Sequence, residues 1–205
     1  MIPVVEKKFS RLGRSEGALD MVEPDFHLDL QAEHSHRELR VVIRQMADGD
    51  ANAIHEIHCA CLTRTLASHY TQEQVAAWMK GRTPAGYISA AHRGERFFVA
   101  EADGLVVGFA SWQDNELLSL FVRPDAQDCG VGSLLLDACL RDAAAEGAGI
   151  TCLKAAAGAD QFYARRGFAP VGQGGTIKNG VVIQDTRMVL SELVPNLKNG
   201  REASF

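Results

Sequence analysis

The sequence predicts an α/β domain of the α+β kind, in which helices alternate with strands and some strands pair antiparallel. Three observations predict it. From residue 39 onward the hydrophobic period switches back and forth between the helical repeat and simple alternation. In "RFFVAEADGLVVGFASW" two β-rich runs meet at Asp103-Gly104, a dipeptide suited to a two-residue hairpin because both central residues need positive φ. In "LFVRPDAQDCGVGSLLL" an apolar run passes through Pro124 into Gly130 and Gly132 and goes on as a leucine-rich segment, which reads as strand, turn and helix start.

The elements follow in order. Residues 1–38 are mixed in charge with no sustained period, so they read as an N-terminal extension, loosely ordered or held by a partner. Within it "DFHLDL" alternates, with Phe26, Leu28 and Leu30 on one face as in a half-buried strand. A strand is expected over residues 41–44, then a helix in "ADGDANAIHEIHCACL", where Ile54, Ile57, Cys61 and Leu62 recur at helical spacing. Thr71 and Gln74 fit a capping box, and Thr83-Pro84 fits an N-cap followed by proline at the first helical position, so two short helices come next. After the hairpin, a turn at "QDN" leads to a strand over residues 116–122. The helix after Gly132 stops near Gly147 and Gly149; "ITCLKA", a short helix around "DQFYARR", "FAPVG" and "VVIQDTRMVL" complete the pattern. The division is an extension over 1–38, a domain over 39–195 and a tail over 196–205.

Composition bounds the function. With 205 residues, 46% of them apolar, the chain suffices for one domain with a real core. A net charge of -5 argues against general nucleic-acid binding and mildly favours a cationic substrate. No apolar run approaches the roughly 18 residues of a membrane span, and the first residues lack the apolar core of a secretory signal, so the expectation is a cytoplasmic protein with no membrane partner. Five irregularly spaced cysteines suit reduced thiols better than a disulfide framework.

The glycine turn is where chemistry is expected. A strand that stops at a glycine turn and restarts as a helix leaves backbone N–H groups unpaired at the positive end of the helix dipole, a place that attracts a phosphate. The spacing is neither the three-glycine dinucleotide turn nor a P-loop, which needs Gly-Lys-Ser/Thr.

Pro124, Gln127, Gly130 and Gly132 in "RPDAQDCGVG", together with the later "FYARRGFAPVG", resemble the Gln/Arg-x-x-Gly-x-Gly/Ala turn and the Phe-Tyr-x-x-x-Gly-Phe segment of the GNAT superfamily of N-acetyltransferases, over about residues 40–192. The resemblance implies a central mixed, mostly antiparallel twisted sheet flanked by helices, with strands splayed at an acetyl-CoA cleft. It implies acetyl transfer from acetyl-CoA to a primary amine of a small molecule or peptide by direct attack, with no metal; a homodimer is compatible with it. The alternative is a module that binds or senses acyl-CoA without catalysis. The loop Gln127, Asp128, Cys129, Gly130, Val131, Gly132 and Ser133 would cradle the pyrophosphate, and the backbone of Phe121, Val122 and Arg123 would pair with the pantetheine arm. Tyr163 falls where the superfamily often places a tyrosine that protonates the leaving thiolate. Glu116 is the candidate base: by period-2 counting it shares the face of Leu118, Leu120 and Val122, at the end of an apolar row. One departure is the asparagine that many relatives carry before the tyrosine, where this chain has Ala156, Gly158 and Asp160.

Arg165, with Arg166, is a candidate for the 3′-phosphate of coenzyme A. Tyr70, Trp78 and Tyr87, with His69, are candidates for the acceptor wall. His55, His58, Cys59 and Cys61 lack an evident fourth ligand and second shell, so no metal is expected there.

Overall fold

The computed structural model describes residues 6–9 and 39–193; most of the expected extension, including Phe26, Leu28 and Leu30, and the tail lie outside the described residues. Its strands form one mixed sheet: β1 (Glu6–Phe9), β2 (Leu39–Gln45), β3 (Arg96–Ala102), β4 (Leu105–Gln113), β5 (Glu116–Val122), β6 (Cys152–Ala155), β7 (Phe168–Lys178) and β8 (Val181–Leu190), in the spatial order β1-β2-β3-β4-β5-β6-β8-β7. All neighbours pair antiparallel except β5 and β6. β1 comes from within the expected extension and pairs with β2, Glu6 opposite Val42.

The helix signals are realised by their own chemistry. α1 (Ala51–Ala60) winds on through a π-helical turn at Cys61–Thr65. α2 (Gln72–Met79) begins at a complete capping box: Thr71 Oγ1 accepts from the Gln74 amide at 3.2 Å, and Gln74 Oε1 accepts from the Thr71 amide at 2.9 Å. α3 (Pro84–His92) begins at Thr83, whose hydroxyl accepts from the Gly86 amide. α4 (Val131–Ala145) ends before Gly147, and α5 (Asp160–Ala164) before Gly167. Asp103 and Gly104 take φ of 50° and 79°, as the hairpin turn requires.

Two structural results differ from the pattern reading. α4 starts at Val131, so Gly132 lies inside its first turn and Gly130 is the cap. β7 runs past "FAPVG" to Lys178 and turns back into β8 through Asn179-Gly180, φ 49° and 84°. Three glycines, Gly172, Gly174 and Gly175, hide that strand from a propensity count. At Gly174 a Cβ would collide with the side chains of Asp185 and Arg187, so glycine there makes room for the facing strand.

The sheet is covered on both faces. α4 lays Val131, Leu134, Leu135 and Ala138 against β2 to β5, and is pinned by Asp142, which accepts from Arg96 and from Trp112 Nε1 at 3.0 Å. On the other face Ile54, Ile57 and Cys61 of the first helix pack with Tyr87, Phe97, Val99 and Phe109. α2 sits over β8 with Tyr70, Leu62 and Ile183. No described helix is long and apolar enough to cross a membrane.

Candidate active site

The sheet branches between β5 and β6. The two strands pair only at Glu116 opposite Cys152 and Leu117 opposite Leu153; beyond that β6 stays with β8 and the rest of β5 loses its neighbour. A cleft of about 590 Å3 opens at the branch. Its β5 wall is an exposed strand edge, which a linear, amide-bearing ligand can extend like a further strand.

Which backbone groups face that edge follows from the β4 pairing. The Arg123 amide donates to Val107 O at 2.8 Å, and Phe121 faces Phe109 two residues earlier, so Phe121 and Arg123 spend their backbone groups on β4. Leu120 and Val122 face the cleft. The Val122 carbonyl is already taken, by Gln127 Nε2 at 2.9 Å and the Cys61 thiol at 3.1 Å. The usable edge is therefore Leu120 N–H and C=O with Val122 N–H, one residue out of phase with the expected Phe121, Val122 and Arg123. The Arg123 side chain pairs with Asp125 at 2.6 Å.

The same pairing contains a bulge. Ser111 faces Ser119 while Trp112 faces Leu117, so Leu118 is an extra residue on β5. The period-2 count fails across it: Leu117, Leu120 and Val122 lie with the α4 core, and Glu116 falls on the opposite face with Phe121. Leu118 is 44% exposed. Glu116 thus lines the cleft, but its carboxylate accepts from Lys154 Nζ at 2.9 Å.

At the far end of the open edge the loop reaches α4. Asp128 (φ 59°) and Gly130 (φ 76°) both take left-handed backbone, which turns the chain so that the first intrahelical bond is Leu134 N–H to Gly130 O. The Val131, Gly132 and Ser133 amides are left at the helix mouth, and no acidic residue occupies the first turn. A Cβ on Gly132 would meet Leu120 and Phe162 at ordinary contact distances of 3.5 and 3.6 Å, so the packing of the protein itself does not demand glycine there, and its absence leaves room for close approach of a ligand. These features fit the pyrophosphate and arm of coenzyme A. Gln127 contributes as a brace, its amide also donating to Thr65 Oγ1 at 3.0 Å. Cys129 packs against the core beneath the loop. Of the two arginines, Arg165 is exposed and lines the cleft, whereas Arg166 is committed to Asp137 and to Ser133 O.

Tyr163 lines the cleft between this loop and the branch. It is 7% exposed, and burial, with Cys139 nearby, raises its phenol well above the usual value, so it stays protonated.

On the other side of the branch stands a second set of groups. Tyr70 and Trp78 form a wall, ring centroids 5.6 Å apart. The Tyr70 hydroxyl accepts from the Ala157 amide at 2.8 Å and donates to Gln184 O at 2.9 Å, which makes it a strut; its ring, not its hydroxyl, is open to a ligand. Tyr87 lies one layer behind, its hydroxyl 2.9 Å from His58 Nδ1. His58 is 1% exposed, its ring tilted against Phe121 with centroids 4.2 Å apart, and its Nε2 has no partner among the described residues. Burial, then Arg82, holds its pKa well below the ordinary value, so the imidazole is neutral. His55 instead meets Cys59 at 3.7 Å and Arg82 O at 3.2 Å.

Arg82, Lys154, Lys178 and Asp185 also line this half, and pattern reading named none of them. The one signal for Lys178 was Asn179-Gly180, which marks a hairpin and hence a strand before it.

Residues 66–190 match the model of the acetyltransferase (GNAT) domain, more than half of the chain. The structure is similar to that of a GCN5-related N-acetyltransferase from Rhodopseudomonas palustris, with a TM-score of 0.65 and 29% identity over 71% of this chain and 92% of that one. It is also similar in fold to PaiA N-acetyltransferase from Thermoplasma acidophilum in complex with coenzyme A, at TM-score 0.59 and 21% identity over 72% and 96% of the two chains. A third likeness is to YncA from Salmonella typhimurium with its cofactor acetyl-CoA, at TM-score 0.55 and 23% identity over 72% and 91%. No curated protein matches the chain. With its branched sheet, its helix mouth and these matches, the chain belongs to the GNAT acetyltransferase family and is an acetyl-CoA-dependent N-acetyltransferase.

Proposed function

We propose that this enzyme transfers acetyl from acetyl-CoA to a primary amine of a small molecule or peptide by direct attack, with the thioester held at the branch between β5 and β6. The observation that carries the proposal is the continuity of one cleft. The orphan amides of Val131, Gly132 and Ser133, the open edge of Leu120 and Val122, the Tyr163 phenol and the Glu116 carboxylate all line it in sequence.

The division of labour follows from chemistry. Anchoring the pyrophosphate at the α4 mouth and pairing the arm along β5 fixes the thioester and places its carbonyl beside the acceptor half, so orientation is provided before reaction. Thiolate develops as the C–S bond breaks, and Tyr163, kept protonated by burial, donates to it. The incoming amine must lose a proton; Glu116 accepts it, directly or through water, once Lys154 yields its hydrogen bond. Arg165 is the remaining basic side chain placed for the 3′-phosphate. Tyr70 and Trp78 line the acceptor side.

The test mixes protein, acetyl-CoA and a broad amine panel while free thiol and acetylated product are both followed. Amine-dependent, saturable thiol release with matching product is expected. Tight coenzyme A binding with no release above hydrolysis across the panel overturns the reading and leaves an acyl-CoA-binding module.

A further inference from the structure

The acceptor half of the cleft is more positive than its carboxylates offset, in a chain whose net charge is -5. Three cations line it, Arg82, Lys154 and Lys178, against two carboxylates, Glu116 and Asp185. Lys154 is neutralised by Glu116 at 2.9 Å. Asp185 Oδ2 accepts from the Thr176 hydroxyl at 2.9 Å, and its Oδ1 is buried with no hydrogen-bond partner among the described residues. Arg82 and Lys178 are left, and neither has a carboxylate within ion-pair distance among the described residues.

Both are held where they are. Arg82 Nε donates to Trp78 O at 3.0 Å, its carbonyl is bonded to His55, and its side chain also hydrogen-bonds the Tyr87 hydroxyl, which fixes the guanidinium at the cleft wall. Asn179 Nδ2 donates to Ala77 O at 2.8 Å and Lys80 O at 3.2 Å, so the tip of the β7–β8 hairpin is tied to the loop that carries Arg82, and Lys178 is brought against it. Gln74 reinforces the tie through Val182 O at 2.9 Å. Burial, then Arg82 and Lys154, push the Lys178 ammonium below its ordinary pKa. His58 is kept neutral and adds no charge of its own.

Like charges held together by backbone ties are unfavourable in the free protein, and an anion between them relieves the repulsion. We propose that Arg82 and Lys178 bind a carboxylate of the acceptor, so that the amine acetylated here belongs to the amino-acid class, not to simple alkylamines. The excess in this half is a single positive charge, which a carboxylate neutralises and a phosphate dianion exceeds. The planar guanidinium also matches a carboxylate with two parallel hydrogen bonds. This inference rests on the N-acetyltransferase reading above.

The experiment offers the full chain free amino acids, their C-terminal amides and the corresponding aminophosphonates, with acetyl-CoA saturating. Acids should exceed their amides by about tenfold or more in kcat/KM, and Arg82→Gln or Lys178→Gln should raise KM for the acids roughly 10 to 100-fold, a much larger factor than for the amides, so that the preference for acids collapses. Amides used as well as acids, phosphonates preferred to carboxylates, or a preference that survives both substitutions overturns the assignment. A second readout does not need turnover: N-acetylated amino acids, but not their amides, should raise the melting temperature of the coenzyme A complex, and less so in the two variants. Should no amine be acetylated, that stabilisation upholds the carboxylate site while the transfer reading falls; its absence overturns the site. Acetylation confined to amines without a carboxylate leaves transfer standing and removes the proposal.

Discussion

The two halves of the cleft are made in opposite ways. The cofactor half is backbone chemistry built from neighbours in the chain: an open strand edge at Leu120 and Val122, two left-handed residues and three orphan amides, all between residues 120 and 133. The acceptor half is side-chain chemistry gathered from afar, with His58 from the first helix, Arg82 from the α2–α3 loop, Lys154 from β6 and Lys178 from the β7–β8 hairpin. Local φ values and a helix start suffice for the first. The second exists only because distant strands reach the right register. A phosphate is recognised by a geometry many sequences can make, whereas the charges of the other half depend on which distant side chains the fold brings together.

The largest effect should separate the halves outright. Gly130→Asp and Gly132→Asp each put a negative side chain at the helix mouth and should weaken coenzyme A binding more than about a hundredfold by calorimetry. Their effects on the free protein should differ. Gly130 sits at φ 76°, so its replacement costs about 1 kcal/mol of backbone strain, while Gly132 has ordinary φ and a Cβ there makes only ordinary contacts with Leu120 and Phe162, so that variant should melt closer to the parent. Equal destabilisation would mean the loop geometry is misassigned.

Tyr163→Phe tests the junction of the halves. kcat should fall about 10 to 1,000-fold with the KM for acetyl-CoA nearly unchanged, because the ring still packs against Phe162 and Phe168. A parallel loss in both parameters would make the tyrosine a cofactor contact.

How much of this the sequence discloses divides along the same line. The Asp103-Gly104 hairpin, the Thr71 and Thr83 caps and the strand over 116–122 are local decisions, and the chain states each in a few adjacent residues. The glycine loop is legible for the same reason. The bulge at Leu118 has no such signature, and missing it moves Glu116 to the wrong face. β7 is hidden by its glycines, of which Gly174 answers to the facing Asp185 and Arg187 and Gly175 to Val182, demands visible only after the strands are paired. With that hairpin unseen, Lys178 and its tie to the Arg82 loop are unseen too.

A smaller effect concerns the base. Glu116→Gln should lower kcat about 10-fold, with acetyl-CoA affinity unchanged, because the amide keeps the shape of the carboxylate and cannot accept the proton. An unchanged kcat would mean that proton removal runs through water.

The smallest is in stability. His58 is held neutral by burial, with its folded pKa below the unfolded value of about 6.5. Above that pH both states are neutral and its contribution is full; as pH falls toward the lower folded value, the unfolded state takes up a proton the native state refuses. Stability should drop by up to about 1.4 kcal/mol per pH unit from this group in that window, and the drop should be missing from His58→Gln in urea titrations compared pH by pH. An unchanged slope would place the histidine in contact with solvent.

All of this supposes that both halves are filled at once and that acetyl passes directly between them. Initial rates measured over a grid of acetyl-CoA and amine concentrations, with intact-protein mass recorded after acetyl-CoA alone, test that most directly. Intersecting reciprocal plots and an unmodified protein mass are the predicted result. Parallel plots, with an acetyl group left on the protein when the amine is withheld, would contradict it.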